Sequence, residues 1–204
     1  GARTLFEGVA FTIGPGDRLA VVGRNGSGKT TLLRCLCGQI PADSGTVTVF
    51  GEPRRRDHLD RMGYLPEERG IYTRLSVIDV MTYFGALKGL PRADAKTRAL
   101  QWLERVELPQ VASWKVDRLS KGMSQKVQFI ATIMRNPELI IIDEPFSGLD
   151  PVNTDMVRNM LFQLKNQGST IVMSIHEMHQ VEEMADRLLM INQGERVLYG
   201  SVDE

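Results

Sequence analysis

The sequence predicts an α/β fold with a mainly parallel sheet, an N-terminal antiparallel β part and an inserted α-helical subdomain. An unbroken apolar run at 139–142 and a mainly apolar run at 170–175 have the length and branching of strands that are buried on both faces. A third run, at 18–22, leads through a glycine-rich loop into a helix with one apolar face. Strands that alternate with helices build parallel sheets, and 204 residues suffice for one domain with its own core.

The loop at 23–30 reads GRNGSGKT and matches the phosphate-binding pattern G-x-x-x-x-G-K-[ST] at every fixed position. Its three glycines allow several backbone N–H groups to converge on one anion at the start of a helix. Lys29 adds a positive charge for the outer phosphates, and the Thr30 hydroxyl is suited to ligate magnesium. The strand and the helix on either side disfavour an incidental glycine-rich turn. The sequence therefore predicts a phosphate-loop NTPase core whose nucleotide-binding residues are Gly23, Arg24, Asn25, Gly26, Ser27, Gly28, Lys29, Thr30 and Thr31.

The N-terminal part is predicted to be antiparallel. Residues 5–13 look like strand material, and a Gly-Pro-Gly-Asp turn leads from them into the run at 18–22, which predicts a hairpin. A further strand is predicted at 46–50 because its residues alternate. The basic run at 54–56 has acidic neighbours, so we interpret it as a solvated face rather than a nucleic-acid contact.

The middle of the chain is predicted to be helical. After a short strand at 62–66, helices are expected from Ser76 to about 88, from about 93 to 106, and from Ser120 to about 135. Ser76 and Asp79 form a capping box, and Leu100, Leu103 and Val106 are expected on one face of the second helix. We therefore expect a single domain over 1–204, with a core at about 1–67 and 136–204 and a helical subdomain at about 68–135.

Composition excludes some function classes. Lysine plus arginine number 25 and aspartate plus glutamate number 25, so direct nucleic-acid binding is not expected. No apolar run reaches the length of a membrane span, and no signal-peptide pattern starts the chain. Cys35 and Cys37 are interpreted as reduced core residues, which is compatible with the cytoplasm.

Reactive side chains follow two of the predicted strands. Asp143 and Glu144 come after the run at 139–142, and His176 comes after the run at 170–175. Because ligands of parallel sheets gather at the carboxyl ends of the strands, we expect these residues beside the phosphate loop. Asp143 is predicted to hold magnesium, Glu144 to activate an attacking water, and His176 to donate to a γ-phosphate or to position the water. The alternative is a pair of solvated acids and an incidental histidine.

A second helix start has the features of an anion site. Residues 119–125 begin a helix with the Ser120 hydroxyl and a glycine, although Ser120 could equally serve only as the N-cap. Asp150 with Pro151 predicts the start of another helix, reaching to about 167. A hairpin of 188–191 and 196–199 is predicted to close the chain.

Taken in order, these motifs resemble the nucleotide-binding domain of the ATP-binding-cassette (ABC) family over essentially the whole chain. GRNGSGKT at 23–30 is similar to the phosphate loop, LSKGM at 119–123 to the family signature, and LIIIDEP at 139–145 to the magnesium strand. The segment Ser147–Asp150 resembles the dimer-contact loop, and His176 resembles the switch histidine. LSKGM together with YLPEERG at 64–70 is similar to the exporter branch that resembles sodium and drug efflux cassettes.

The resemblance implies an ATPase that powers a membrane transporter of the exporter type, with ATP and Mg2+ as cofactors. It implies a head-to-tail dimer, of two copies or with a paired ABC ATPase subunit. In this dimer Ser120, Gly122 and Met123 of one copy close on the ATP of the other, and Asp150 lies across the interface. A separate transmembrane permease is expected to dock on the groove beside residues 67–75 and the helix from Ser76, where Ile71, Tyr72 and Leu75 supply apolar contacts. The expected location is cytoplasmic, on the inner face of the cell membrane.

The chain departs from the family pattern at three points. Glu67 stands where a glutamine usually ligates magnesium, and a carboxylate there can still ligate the ion. Met123 stands where glutamine is common. The aromatic residue that stacks on adenine is expected before the first strand, and the chain begins too late to contain it.

Two other functions remain open at this stage. The segment from residue 5 to residue 30 also resembles the translation-factor branch of the family, which keeps a non-transport ATPase of the translation-factor or repair type as the alternative. A phosphate-loop kinase is disfavoured by the position of Glu144 and by the signature.

Overall fold

A mixed sheet of six strands forms the centre of the molecule. The computed structural model describes residues 6–67 and 74–202. Its strands are β1 Arg18–Val22, β2 Thr48–Val49, β3 Glu52–Pro53, β4 Met62–Leu65, β5 Leu139–Asp143, β6 Thr170–Ile175, β7 Arg187–Asn192 and β8 Glu195–Ser201. Its α-helices are α1 Lys29–Cys37, α2 Val77–Leu87, α3 Arg92–Arg105, α4 Lys121–Ile133, α5 Pro151–Asn166 and α6 Met178–Met184.

The strand order in the main sheet is β4-β5-β6-β1-β7-β8. The first five strands are parallel, and β8 pairs antiparallel with β7. This arrangement confirms the predicted fold class. It also brings the carboxyl ends of β4, β5, β6 and β1 next to one another at one edge of the sheet.

The sheet separates two layers of core. Ile140 and Ile142 of β5 pack into one cluster with Phe129 and Ile130 of α4 and with residues of α5. Ile141 points to the other face and packs with Leu33 of α1. All three isoleucines are fully buried, which explains why β5 is an unbroken apolar run instead of an alternating one.

In the described part of the chain between β4 and β5, the α-helices are α2, α3 and α4, as predicted. The Ser76 hydroxyl accepts a hydrogen bond from the Asp79 N–H at 3.2 Å, which confirms the cap of α2. The prediction for Leu100 was wrong, since this side chain is 41% exposed. The buried stripe of α3 runs through Ala95, Ala99 and Leu103, and Leu100 lies one position away from it. The division into a core and a helical subdomain stays a prediction.

The predicted N-terminal hairpin is absent from the described residues. Residues 6–17 contain no strand, because both edges of β1 are already paired, with β6 and with β7. The segment lies instead against the closing hairpin, where the Glu7 N–H donates to the Gly194 carbonyl at 3.0 Å. The strand expected at 46–50 is also shorter than predicted, since only Thr48–Val49 pair, with Glu52–Pro53.

The remaining elements agree with the predictions. Asp150 caps α5, and the hairpin of β7 and β8 closes the chain. Cys35 and Cys37 are free and buried, and burial raises the pKa of the Cys37 thiol to about 12. Within residues 6–67 and 74–202, none of the helices combines the length and the apolar composition that crossing a bilayer requires.

An ion-pair cluster ties β1 to the end of α6. The Asp186 carboxylate accepts hydrogen bonds from the Arg18 N–H at 2.8 Å, from the Arg18 guanidinium at 3.0 Å and from Lys165 Nζ at 2.7 Å. Burial raises the pKa of Asp186, but these bonds outweigh it and lower the pKa from 3.8 to about 2.

Replacing Asp186 by asparagine is expected to lower the free energy of unfolding by about 2 kcal/mol at pH 7, because bonds to a charged acceptor are lost. A carboxylate with a depressed pKa stabilises the fold above its unfolded pKa, and this contribution is lost as the pH falls. The stability difference between wild type and Asp186→Asn should therefore shrink as the pH falls from 3.8 towards 2. Urea unfolding at several pH values measures this. Asp155→Asn, at a carboxylate that is 66% exposed, is the control and should change stability little.

Candidate active site

The phosphate loop connects β1 to α1 in the way its pattern predicts. A Cβ at Gly23 would collide with the Ile191 carbonyl oxygen and the Ser27 hydroxyl, so only glycine fits there. Gly28 is the N-cap of α1 at φ +103°, a conformation that favours glycine, and it has no side chain with which to cap the helix. The first N–H groups of α1 have no partner within the helix, and the loop therefore offers an anion a set of backbone donors.

Lys29 points back over this loop. Its ammonium donates to the Gly23 carbonyl at 2.7 Å and to the Arg24 carbonyl at 3.3 Å. Burial lowers the pKa of Lys29, while the nearby carboxylates of Glu144, Asp143 and Glu67 act to raise it. The lysine is thus a buried cation on which three acidic side chains act.

His176 links Lys29 to Glu144. The Nδ1 atom of His176 lies 3.3 Å from Lys29 Nζ, and its Nε2 atom contacts Glu144 Oε1. A lysine can only donate, so this network assigns an imidazole with a free Nδ1 and a proton on Nε2, which is donated to Glu144. The side chains predicted from two strand ends are therefore brought together with the loop.

Asp143 and Glu144 follow one another at the end of β5 but have different surroundings. Asp143 is fully buried, and its Oδ1 accepts a hydrogen bond from Ser174 Oγ at 2.6 Å. Its Oδ2 has no hydrogen-bond partner in the described part of the chain. Glu144 has φ +53°, a left-handed conformation that is rare for residues other than glycine, and its side chain is 13% exposed.

The residues fit a magnesium ion that is shared with a substrate. The buried Asp143 Oδ2 is an acceptor left over for such an ion or its water, and Thr30 and Glu67 flank the same edge of the sheet. Over residues 6–67 and 74–202, no three histidine, cysteine or carboxylate side chains cluster into a complete metal site. A few protein oxygens, such as those of Asp143, Thr30 and Glu67, are the donors that Mg2+ takes when waters and substrate phosphates complete its coordination.

The contacts of the segment at 119–123 are with its own helix and with residues that follow Glu144. Ser120 caps α4 and accepts the Met123 N–H at 3.3 Å. Within the described residues, no hydrogen bond joins Ser120, Gly122 or Met123 to residues 23–30. A Cβ at Gly122 would instead lie 3.1 Å from Asn153 Nδ2, and the Gln125 amide donates to the Ser147 carbonyl at 3.4 Å. The segment therefore packs beside the loop that follows Glu144.

Asp150 is the N-cap of α5. Its carboxylate accepts the Asn153 N–H at 2.9 Å and also contacts the Asn153 side-chain amide. These bonds from Asn153 lower the pKa of Asp150. Within this chain Asp150 thus serves as a helix cap, and its predicted contact with another copy stays a prediction.

A cavity of about 470 Å³ lies beside β4, between α1, α2 and α4. Leu87 and Phe84 give it an apolar wall, and Arg34 and Lys88 give it positive charge. Gln128 also lines it and is 5% exposed, yet neither polar atom of its amide has a hydrogen-bond partner among the described residues. Nothing in the sequence pattern pointed to Gln128, because the buried residues of α4 apart from Gln125 and Gln128 are apolar.

The comparisons with known proteins decide the family. Residues 6–147, more than half of the chain, match the family model described as ABC transporter. The chain belongs to the ABC transporter family. Its ATP-binding subunits work with transmembrane partners in transport systems, and this chain is such an ATP-binding subunit and an ATPase. The family resemblance stated from the motifs is thereby confirmed.

Individual relatives of this ABC subunit are also ATP-binding proteins of ABC transporters or of resistance systems. The ABC transporter ATP-binding protein MJ1023 of Methanocaldococcus jannaschii is 38% identical over 100% of this chain, which spans 74% of that protein. The linearmycin resistance ATP-binding protein LnrL of Bacillus subtilis is 33% identical over 98% of this chain, which spans 66% of that protein. A solved structure of an ATP-binding subunit of an ABC transporter has a TM-score of 0.90 at 28% identity, and the match covers 99% of this chain and 85% of that one.

Ser174, a polar residue of the ABC site, was not among the residues predicted from the sequence. Ser174 bonds both Asp143 and Glu144 from the neighbouring strand. The available signal was a hydroxyl near the end of the otherwise apolar run at 170–175.

Proposed function

We propose that this chain is the ATP-hydrolysing subunit of an exporter and that it works as an ATP-driven head-to-tail dimer at the inner face of the cell membrane. The observation that carries the proposal is the chain of contacts from Lys29 through His176 to Glu144, with Asp143 beside it. These groups provide a phosphate-binding cation, a hydrogen-bond donor and a candidate base at one edge of the sheet. This is the set that phosphoryl transfer to water requires.

In the proposed site the loop at 23–31 holds the phosphates of ATP. Thr30, Asp143 and Glu67 would hold Mg2+, which supplies charge neutralisation between the phosphates when it is bound. Lys29 leaves the loop carbonyls and donates to the outer phosphates. Glu144 accepts a proton from the attacking water, and His176 holds the carboxylate of Glu144 in place while its ring lies near the γ-phosphate.

The dimer completes the site. Ser120, Gly122 and Met123 begin α4, and a helix start with a small residue is suited to an anion. Within the described residues they make no hydrogen bond to the phosphate loop of their own chain, and we infer that they close on the ATP of a second copy or of a paired ABC subunit. Asp150, at the start of α5, would then lie at the same interface.

The permease is proposed to dock at the cavity beside β4. Leu75 and Leu87 are exposed, at 42% and 58%, and Leu87 lines the cavity together with the unpaired amide of Gln128. An apolar wall with unsatisfied polar groups is the composition of a protein-binding site. Ile71 and Tyr72, which were predicted for the same surface, lie outside the described residues.

Replacing Leu87 by glutamate is expected to weaken binding to the permease by about tenfold or more, since a charge enters the apolar wall. ATP binding by the purified chain should be unchanged, because Leu87 lies outside the phosphate site. Co-purification of the two subunits measures the effect. The matched control is Leu100→Glu on α3, an exposed leucine outside the cavity. Equal recovery of the permease with Leu87→Glu and wild type would contradict this docking surface.

The direction of transport and the alternative function need different measurements. LnrL is named for resistance to linearmycin, which favours export for this chain. Loss of ATP-driven substrate efflux from cells that lack the chain is the expected result. Co-sedimentation with ribosomes in ATP, with no membrane protein recovered, would instead support the translation-factor alternative.

A further inference from the structure

Ser174 is a buried hydroxyl at the edge of the sheet where the proposed ATPase site lies. It is the next-to-last residue of β6, and its exposure is 0%. A hydroxyl in such a position destabilises the fold unless its hydrogen bonds are made. The hydrogen-bond partners of Ser174 therefore explain why a serine occupies this position in a mainly apolar strand.

Those partners are two consecutive residues of the neighbouring strand end. The parallel register of β5 and β6 sets Asp143 opposite Ser174. Ser174 Oγ donates to Asp143 Oδ1 at 2.6 Å and accepts the Glu144 N–H at 2.8 Å. One oxygen atom thus holds a side chain and the adjacent peptide group at the same time.

Each bond restrains a feature that the proposed chemistry needs. The bond to Oδ1 fixes the Asp143 carboxylate. Its Oδ2 atom has no hydrogen-bond partner among the described residues and therefore stays available for a metal ion or its water. The bond from the Glu144 N–H restrains a residue at φ +53°, a conformation that costs on the order of 1 kcal/mol or more outside glycine. In that conformation the Glu144 side chain contacts His176.

We propose that Ser174 is a positioning residue for the ATPase site: its hydroxyl orients Asp143 towards the metal and Glu144 towards the attacking water. The inference rests on the roles proposed above for Asp143 and Glu144. Ser174 itself touches neither the nucleotide nor the metal. It acts through the Asp143 carboxylate and the Glu144 peptide N–H, as the outer hydrogen-bond partners of metal ligands commonly do.

The experiment compares three variants with wild type. Ser174→Ala removes both bonds, Ser174→Cys keeps most of the volume but makes only weak bonds, and Ser174→Thr keeps the hydroxyl. The matched control is Ser169→Ala, which removes a buried serine just before β6, at the end of the strand away from the site, where its hydroxyl donates to the Pro137 carbonyl at 2.8 Å. Both Ser169→Ala and Ser174→Ala thus lose a hydrogen bond that a buried serine hydroxyl donates, and only Ser174→Ala loses it at the site.

Two readouts are used on the purified chain. The first is the affinity for Mn2+, followed by its paramagnetic resonance signal, in the presence of a non-hydrolysable ATP analogue. The second is the kcat and KM of ATP hydrolysis with Mg2+. Ser174→Ala should lose about 10- to 100-fold in Mn2+ affinity or in kcat, with KM for ATP nearly unchanged. Ser174→Cys should show an intermediate loss, Ser174→Thr should recover most of it, and Ser169→Ala should match wild type.

Wild-type Mn2+ affinity and kcat in both Ser174→Ala and Ser174→Cys would overturn the proposal. An equal loss in Ser174→Ala and Ser169→Ala would also overturn it, because the effect would then be general packing. Failure of the proposed function looks different: wild type itself would release no phosphate from ATP. In that case the Mn2+ affinities of the variants still decide whether Ser174 positions Asp143.

Discussion

Replacing Glu144 by glutamine is expected to lower the rate of ATP hydrolysis by about 100- to 10,000-fold, since an amide cannot take the proton of the attacking water. The substitution keeps the size of the side chain and its contact with His176. ATP affinity should therefore stay close to that of wild type. Phosphate release at saturating ATP, together with a direct measurement of ATP binding, separates the two quantities.

The same variant tests the proposed dimer. If hydrolysis opens an ATP-bound dimer, Glu144→Gln should accumulate as a dimer in ATP and Mg2+, which light scattering after gel filtration detects. Glu138→Gln is the matched control, because Glu138 immediately precedes β5 whereas Glu144 follows it. Its carboxylate is 57% exposed and pairs with Arg61, so its hydrolysis rate should be that of wild type. Undiminished hydrolysis by Glu144→Gln would contradict the role of Glu144 as the base.

The location of the site was predictable because it depends on local patterns and on one topological rule. The phosphate loop is a contiguous motif, and the apolar runs of β5 and β6 identify the strands that end in Asp143 and in His176. Parallel strands bring such ends together, and the structure joins Lys29, His176 and Glu144 as expected.

The failed predictions concern pairing between distant segments. Residues 5–13 have strand composition, but β1 has no free edge because β6 and β7 occupy both. That competition arises from segments about 150 residues away in the chain and is invisible locally. The role of Ser174 was not predicted for the same reason, since its contacts depend on the register that sets it opposite Asp143. The roles of Ser120 and Asp150 stay predictions, because their proposed partners belong to a second copy.

Replacing Lys29 by methionine is expected to weaken ATP binding by about 10- to 100-fold, the loss that follows from removing hydrogen bonds made by a charged group. The surroundings of Lys29 add a second reason. Asp143, Glu144 and Glu67 act on this ammonium, and without it the incoming phosphates would meet only their negative charge. Titration of ATP binding measures the effect, and hydrolysis should fall together with binding.

Lys88→Met is the matched control for this variant. Lys88 is also a partly buried lysine that donates to two backbone carbonyls, those of Leu59 at 3.0 Å and Met62 at 2.7 Å, but it lies outside the phosphate loop. Both substitutions remove one buried cation and two bonds to carbonyls, so a shared loss of stability cancels in the comparison. Only Lys29→Met should lose ATP affinity, and only Glu144→Gln should keep it while losing hydrolysis. Wild-type ATP affinity in Lys29→Met would mean that the backbone N–H groups of the loop bind the phosphates without this cation.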